Sequence, residues 1–219
     1  MQTVFVYVFK SQKENNRKMP VNRLSKVSNL KNTLLKEMKK EDTKLEILQM
    51  LLHNGADPNL KDNEEKTALH YAAKKGTLDI CQLLLSYGAD PNIKGGPLKE
   101  TALHYAAKMS RLDVCELLLR NRANPDIKSD RYGMTALHYA AEEGALNICK
   151  LLLSNGADLN IRDGSFSETA LHHAARMSRL DVCQLLLRNR ADPDTKGDEN
   201  KQPCIMLLKK KHWISASCC

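Results

Sequence analysis

TALHYAA runs from Thr67 to Ala73, returns at Thr101 and Thr135, and appears once more as TALHHAA at Thr169. The starts are 34 residues apart each time. A fixed period of this length marks a stacked array, in which each unit is one supersecondary element that cannot bury its apolar face alone. A second signature keeps step with the first: GADPN at Gly55 and Gly88, RANPD at Arg122, GADLN at Gly156 and RADPD at Arg190.

Between the two signatures every unit reads alike. Thr67 precedes a short helix over Ala68–Lys75, in which Ala72 and Ala73 are small enough for close helix approach. Gly76 allows a turn. A second helix over Leu78–Ser86 carries Leu78, Ile80, Cys81, Leu83, Leu84 and Leu85, too many apolar residues for one buried stripe. It must be covered on more than one side, as a helix between neighbours is. Gly88 closes it in the place of a left-handed C-terminal residue, and a polar loop leads to the next Thr. That loop is LKDNEEK in the first case and one residue longer afterwards: IKGGPLKE, IKSDRYGM, IRDGSFSE and TKGDENKQ.

The pattern thins at both ends. Leu24, Val27, Leu30, Leu34, Leu35 and Met38 fall at helical spacing between Asn22 and Lys40 and predict a helix over the open end of the stack. LEILQMLLHN from Leu45 predicts the second helix of an entry unit, closed by Gly55. After Lys196 the fifth TALH is replaced by PCIM at Pro203, and no apolar second helix follows, so a half-unit is expected there.

These motifs resemble the ankyrin repeat family, whose pattern of T-P-L-H-x-A-A, short turn, apolar second helix and G-A-D-x-N appears here four times with Ala in place of Pro, the last motif reading RANPD and RADPD in the second and fourth units. The resemblance covers Thr33 to Leu208. It implies an all-α solenoid of antiparallel helix pairs with the loops projecting as hairpin-like fingers. The expected divisions are a basic, disordered segment 1–21, a repeat domain 22–208 and a tail 213–219. Within the domain come an entry repeat 33–62, full repeats 63–95, 96–129, 130–163 and 164–197, and a partial exit repeat 198–212. The extra residue in the later loops lengthens the finger without disturbing the helices, because surface loops tolerate insertion.

The repeats also alternate. Thr101–Lys128 and Thr169–Lys196 differ at 5 of 28 positions, whereas the adjacent Thr67–Lys94 and Thr101–Lys128 differ at 10, so a block of two repeats recurs. In the second and fourth repeats Arg122 and Arg190 replace the helix-closing glycine. The preferred expectation is a different turn type at those two places, the alternative being arginines held for a partner.

Composition narrows the function. The net charge of +8 sits in the ends: residues 1–44 hold 11 Lys/Arg against 4 Asp/Glu, whereas residues 45–194 hold 18 against 20. A nucleic-acid groove along the repeats would itself be basic. No stretch approaches the roughly 18 apolar residues of a membrane span, and VFVYVF at Val4–Phe9 is too short for a signal-peptide core. A location in the cytoplasm, with the nucleus as alternative, and a monomeric state are the expectations. Cys81, Cys115, Cys149 and Cys183 share the repeat period and read as small buried hydrophobes, one per repeat, too far apart for direct bridging. Cys218 and Cys219 do not form a CaaX box, since the fourth residue from the end is Ala216.

No nucleophile elbow, P-loop, HExxH or CxxC spacing occurs, and periodic histidines do not converge as ligands or catalysts must. No enzyme, cofactor or metal is therefore expected. By the resemblance, His70, His104, His138 and His172 are structural, exchanging hydrogen bonds with Thr67, Thr101, Thr135 and Thr169 and with neighbouring backbone. His173, where the other repeats carry Tyr, reads as a packing variation. The resemblance also implies partner contacts on the exposed face of the first helices and on the finger tips. Those on the helices are Lys74, Lys75, Lys108, Met109, Arg111, Glu142, Glu143, Arg176, Met177 and Arg179. Those on the fingers are Arg131, Tyr132 and Phe166. The functional expectation is a non-enzymatic scaffold or adaptor that binds a protein. The alternatives are basic tails contacting nucleic acid or an anionic membrane, and a regulatory subunit of a larger complex.

Overall fold

The computed structural model describes residues 33–40 and 42–198. The expectations for residues 1–32, for most of the exit repeat and for the C-terminal tail, Cys218 and Cys219 included, lie outside the described residues.

Ten helices are described, in pairs. The first pair is α1 (residues 33–39) and α2 (Leu45–His53). There follow α3 (Ala68–Lys75) and α4 (Leu78–Ser86), then α5 (Ala102–Lys108) and α6 (Leu112–Arg120). The series ends with α7 (Ala136–Glu143) and α8 (Leu146–Ser154), then α9 (Ala170–Arg176) and α10 (Leu180–Arg188). Among the described residues there is no strand, only a single antiparallel bridge between Gly95 and Glu100.

First helices pack on first helices and second on second along the stack. The reason is in the side chains at the contact. Ala72, Ala73, Ala106, Ala107, Ala140, Ala141, Ala174 and Ala175 are fully buried and let the first helices approach closely. Leu84, Leu118, Leu152 and Leu186 are equally buried between second helices, each contributing about 1.5–3 kcal/mol relative to exposure. The four cysteines lie buried in the same layer, and burial pushes the thiols of Cys81, Cys115 and Cys149 up to about 12. Such thiols pack rather than react.

Hydrogen bonds between repeats follow the same period. Each finger is closed at its base, by the amide of Asp62 on Lys66 O, Gly95 on Glu100 O, Ser129 on Met134 O and Asp163 on Glu168 O, at 2.8–2.9 Å. The shorter first loop thus closes over one residue fewer, and the helices stay in register. Each finger also donates to the tip of the one before: Gly96 to Glu64 O, Asp130 to Leu98 O, Gly164 to Tyr132 O and Asp198 to Phe166 O. The ladder that would be a sheet in longer loops is here one bond per neighbour.

The alternation of repeats has a packing cause. Gly76 and Gly144 end α3 and α7 at φ +79° and +76°, and Ser110 and Ser178 hold the same left-handed position in the other two repeats. The side chain of Arg111 lies over Gly76 and that of Arg179 over Gly144, so close that a Cβ on either glycine would come within 2.7 Å. A glycine repeat followed by an arginine repeat is one interlocked unit.

Arg122 and Arg190 correct the expectation of a different turn. They stand at φ +65° and +68°, and their amides and those of Ala123 and Ala191 make the same bonds back into the helix as Gly88 and Ala89 make. At Gly55, Gly88 and Gly156 a Cβ would meet nothing within 4 Å, so the arginines cost backbone strain and no clash. That strain is about 1–2 kcal/mol per residue, of which glycine's extra freedom in the unfolded chain would return about 0.5–1. Arg122→Gly and Arg190→Gly are each expected to raise stability by about 0.5–1 kcal/mol, read as a rise of a few degrees in Tm. A fall in Tm would show that the arginine side chains hold contacts worth more than the strain.

Candidate functional site

The motif histidines are built into the scaffold. In α3 the amide of Thr67 donates to His70 Nδ1 at 3.0 Å, and the Thr67 hydroxyl lies 2.8 Å from the same nitrogen. A nitrogen that accepts an amide carries no proton, so the proton is on Nε2, which points 3.0 Å from the carbonyl of Glu100 in the next repeat. His104 repeats this with Thr101 and Met134 O, and His138 with Thr135 and Glu168 O. His172 takes the amide of Thr169 at 3.1 Å. All four are buried. Burial lowers the pKa of His70, His104 and His138 to about 4, against the weaker upward pull of the carbonyls they face. His70, His104 and His138 are therefore neutral clamps, each between its own helix start and the neighbouring finger.

Beside the clamps, the residue after the motif His faces the base of its finger. Tyr71 donates to Asp62 Oδ2 at 2.6 Å, and Lys39 of the entry helix reaches the same oxygen at 2.8 Å. Burial works to raise the Asp62 pKa, and these partners with two backbone amides overcome it, lowering it to about 2. In the next two repeats Gly95 and Ser129 take the place of that aspartate. The phenols of Tyr105 and Tyr139 are there pushed up by burial and by the Glu100 carboxylate. In the fourth repeat the pair returns as Asp163 and His173.

His173 thus departs from the reading as a packing variation. Its Nε2 lies 3.0 Å from Asp163 Oδ2 and 3.9 Å from Glu168 Oε2, while Arg176 Nη2 lies 2.8 Å from Nδ1. Guanidinium only donates, so Nδ1 accepts and the His173 proton is on Nε2, shared with Asp163. Asp163 Oδ1 takes the amides of Ser165, Phe166 and Glu168 at 3.0–3.3 Å. Burial would raise the Asp163 pKa, but the bond from His173 and these amides hold it well below the usual carboxylate range. A signal was present in the sequence: Asp precedes the ring residue by 10 positions in the fourth repeat and by 9 in the first, where the finger is one residue shorter.

Asp163, His173 and Arg176 of this cluster line a groove of about 360 Å³ between the first helices and the fingers of the third and fourth repeats, bordered by Leu98 and Lys108 of the second. Six of the residues expected to contact a partner line it: Lys108, Glu142, Glu143 and Arg176 from helices, Tyr132 and Phe166 from finger tips. Leu98, Tyr139 and His173 line it as well. Phe166 is 47% exposed and Tyr132 38%, with Arg131 5.5 Å over the Tyr132 ring and Lys108 5.2 Å over that of Tyr139. Met109 and Met177 are exposed beside these helices. Lys74, Lys75 and Met109 line a smaller hollow of about 260 Å³ towards the first repeat.

Besides Arg176, three of the expected residues are engaged within the array. Lys75 donates to the carbonyls of Met38 and Lys40 and lies 3.2 Å from the Thr43 hydroxyl, closing the C-terminus of α1. Arg179 Nε donates to Glu142 O at 3.1 Å, closing α7, and Arg111 lies over Gly76 as described. Cations at helix C-termini are favourable by about 0.3–1 kcal/mol each.

A family model described as ankyrin repeats, three copies, matches residues 37–129, 96–163 and 129–197. No curated protein matches the chain. No helix among the described residues is long and apolar enough to cross a membrane.

Proposed function

The chain belongs to the ankyrin repeat family, whose members are typically non-enzymatic protein-interaction modules, and we propose that it is a non-enzymatic scaffold or adaptor that docks a protein in the groove of its third and fourth repeats. The observation that carries this reading is the convergence of exposed aromatic tips with charges of both signs. Tyr132 and Phe166 stand at one wall, and Lys108, Glu142, Glu143 and Arg176 at the other. Aromatic anchors rimmed by charge are what protein contacts use. The array offers them without rearrangement, since Arg176 is braced by His173 and Glu168, and Phe166 by the amide bond to Asp163. Lys74, Met109, Arg131 and Met177 extend the surface to either side. Lys75, Arg111 and Arg179 serve it by holding helix ends in place.

The test is affinity purification with mass spectrometry, comparing the full chain with Tyr132→Ala/Phe166→Ala. Both side chains are exposed, so the fold is retained. Buried aromatic anchors cost about 2 kcal/mol or more when truncated, so recovery of a true partner is expected to fall about 30-fold or further. A partner list that the double variant leaves unchanged moves the site off this groove.

A further inference from the structure

We infer that His173, Asp163 and Glu168 form a binding site for a divalent transition-metal ion, of the zinc class, opening into the groove. The three donor atoms, His173 Nε2 and one carboxylate oxygen from each acid, lie within 4.8 Å of one another, and all three residues are buried. A tetrahedral ion with ligands at about 2.0–2.1 Å requires donor atoms about 3.3 Å apart. The separations of 3.0 Å to Asp163 and 3.9 Å to Glu168 bracket that value. One imidazole and two carboxylates suit zinc, cobalt or manganese rather than calcium, which takes oxygen ligands throughout.

A second observation points the same way. Glu168 is 8% exposed, and its Oε2 accepts no hydrogen bond from the described residues. Among the described residues the nearest cation, Arg176 Nη1, is 3.5 Å away. Asp163 is met by the His173 ring and three backbone amides, whereas the Glu168 carboxylate held close beside it faces a guanidinium that is itself 39% exposed. Buried charge is stable when paired or bound to metal. A divalent ion would bring the triad to neutrality, and the groove leaves the remaining coordination positions open to water or to a side chain of a docked protein.

Binding requires a defined rearrangement. The ion takes the Nε2 lone pair, so the His173 proton passes through solvent from Nε2 to Nδ1, with no net proton released. Nδ1–H and Arg176 Nη2 are then two donors facing each other, and Arg176 must swing outward, where Glu142 already stands 4.0 Å from it. Arg176 therefore competes with the metal. Replacing it by an acceptor should tighten binding, as partners of ligating histidines change affinity by about 10–100-fold.

The test is calorimetric titration of the full chain with zinc after chelator treatment, in a Cys204→Ser/Cys218→Ser/Cys219→Ser background that removes competing thiols. Cobalt absorption provides a second reading of the coordination. Two controls remove a ligand with little change of shape. His173→Tyr installs the residue that the array carries at Tyr71, Tyr105 and Tyr139, and Glu168→Gln keeps size. The expected result is one equivalent of zinc lost in both variants while circular dichroism is unchanged, and about tenfold tighter binding in Arg176→Gln. The same stoichiometry in His173→Tyr and Glu168→Gln, or weaker binding in Arg176→Gln, would overturn the assignment. The outcome is independent of partner capture, so failure here leaves the docking groove standing, and the reverse.

Discussion

Acidification from pH 7 to pH 5 is expected to remove about 6 kcal/mol of folding free energy, through His70, His104 and His138. Their folded pKa values are lowered to about 4 by burial, whereas an unfolded histidine titrates near 6.5. The folded state thus resists a proton that the unfolded chain takes up. The stability this represents is complete above about pH 6.5 and lost as pH falls towards 4. One pKa unit is about 1.4 kcal/mol, and at pH 5 about 1.5 units have been traversed, giving about 2 kcal/mol per histidine. Asp62, with its pKa near 2, loses its contribution only below its unfolded pKa near 4, so the intervening window belongs to the imidazoles. Urea titrations at pH 7, 6 and 5 followed by circular dichroism measure the slope. A stability that is flat across that range would mean the histidines accept protons in place and are not clamps.

The second large effect is His104→Ala in the middle of the array, expected to cost about 3–5 kcal/mol. The ring takes the Thr101 amide at 3.0 Å, the Thr101 hydroxyl at 2.7 Å and reaches Met134 O at 3.0 Å, edge-on to Tyr139. Its removal leaves the buried Thr101 amide without a partner, at about 1–3 kcal/mol, takes one of the two bonds from the Met134 carbonyl, which keeps the Ser129 amide, and opens a cavity in addition. One of the lost bonds joins two repeats. In a quasi-one-dimensional stack the weakened interface should separate unfolding of the first two repeats from that of the last two. A single urea transition displaced by less than about 1 kcal/mol would assign the inter-repeat coupling to the apolar layer alone.

Particular residues show where sequence reading succeeds and where it stops. The helices over Ala68–Lys75 and Leu78–Ser86 fall where spacing and glycine place them, because a cap, an apolar period and a left-handed stop act within a few residues of each other. The six groove residues Lys108, Tyr132, Glu142, Glu143, Phe166 and Arg176 follow from position within the unit. Arg122 and Arg190 keep the turn that glycine makes elsewhere, against the expectation from their side chains, because the left-handed preference of glycine is a bias of about 1–2 kcal/mol, which the two bonds closing the helix overcome. The role of His173 was hidden for a different reason. Asp163 and Glu168 are near it in sequence, but the finger that carries them must fold back for the three to meet.

By itself the sequence determined the unit, its period and its helix ends, and with them the all-α stack, since each depends on interactions local to one repeat and copied along the chain. Only the tertiary structure decided which exposed-looking side chains are free to meet a partner. Lys75 and Arg179 find their acceptors 37 residues away, and Arg111 lies over a glycine of the preceding repeat, contacts that exist only once helix pairs are stacked. Stacking sets one repeat's side chains against another's backbone, and no pattern within a single repeat records that distance.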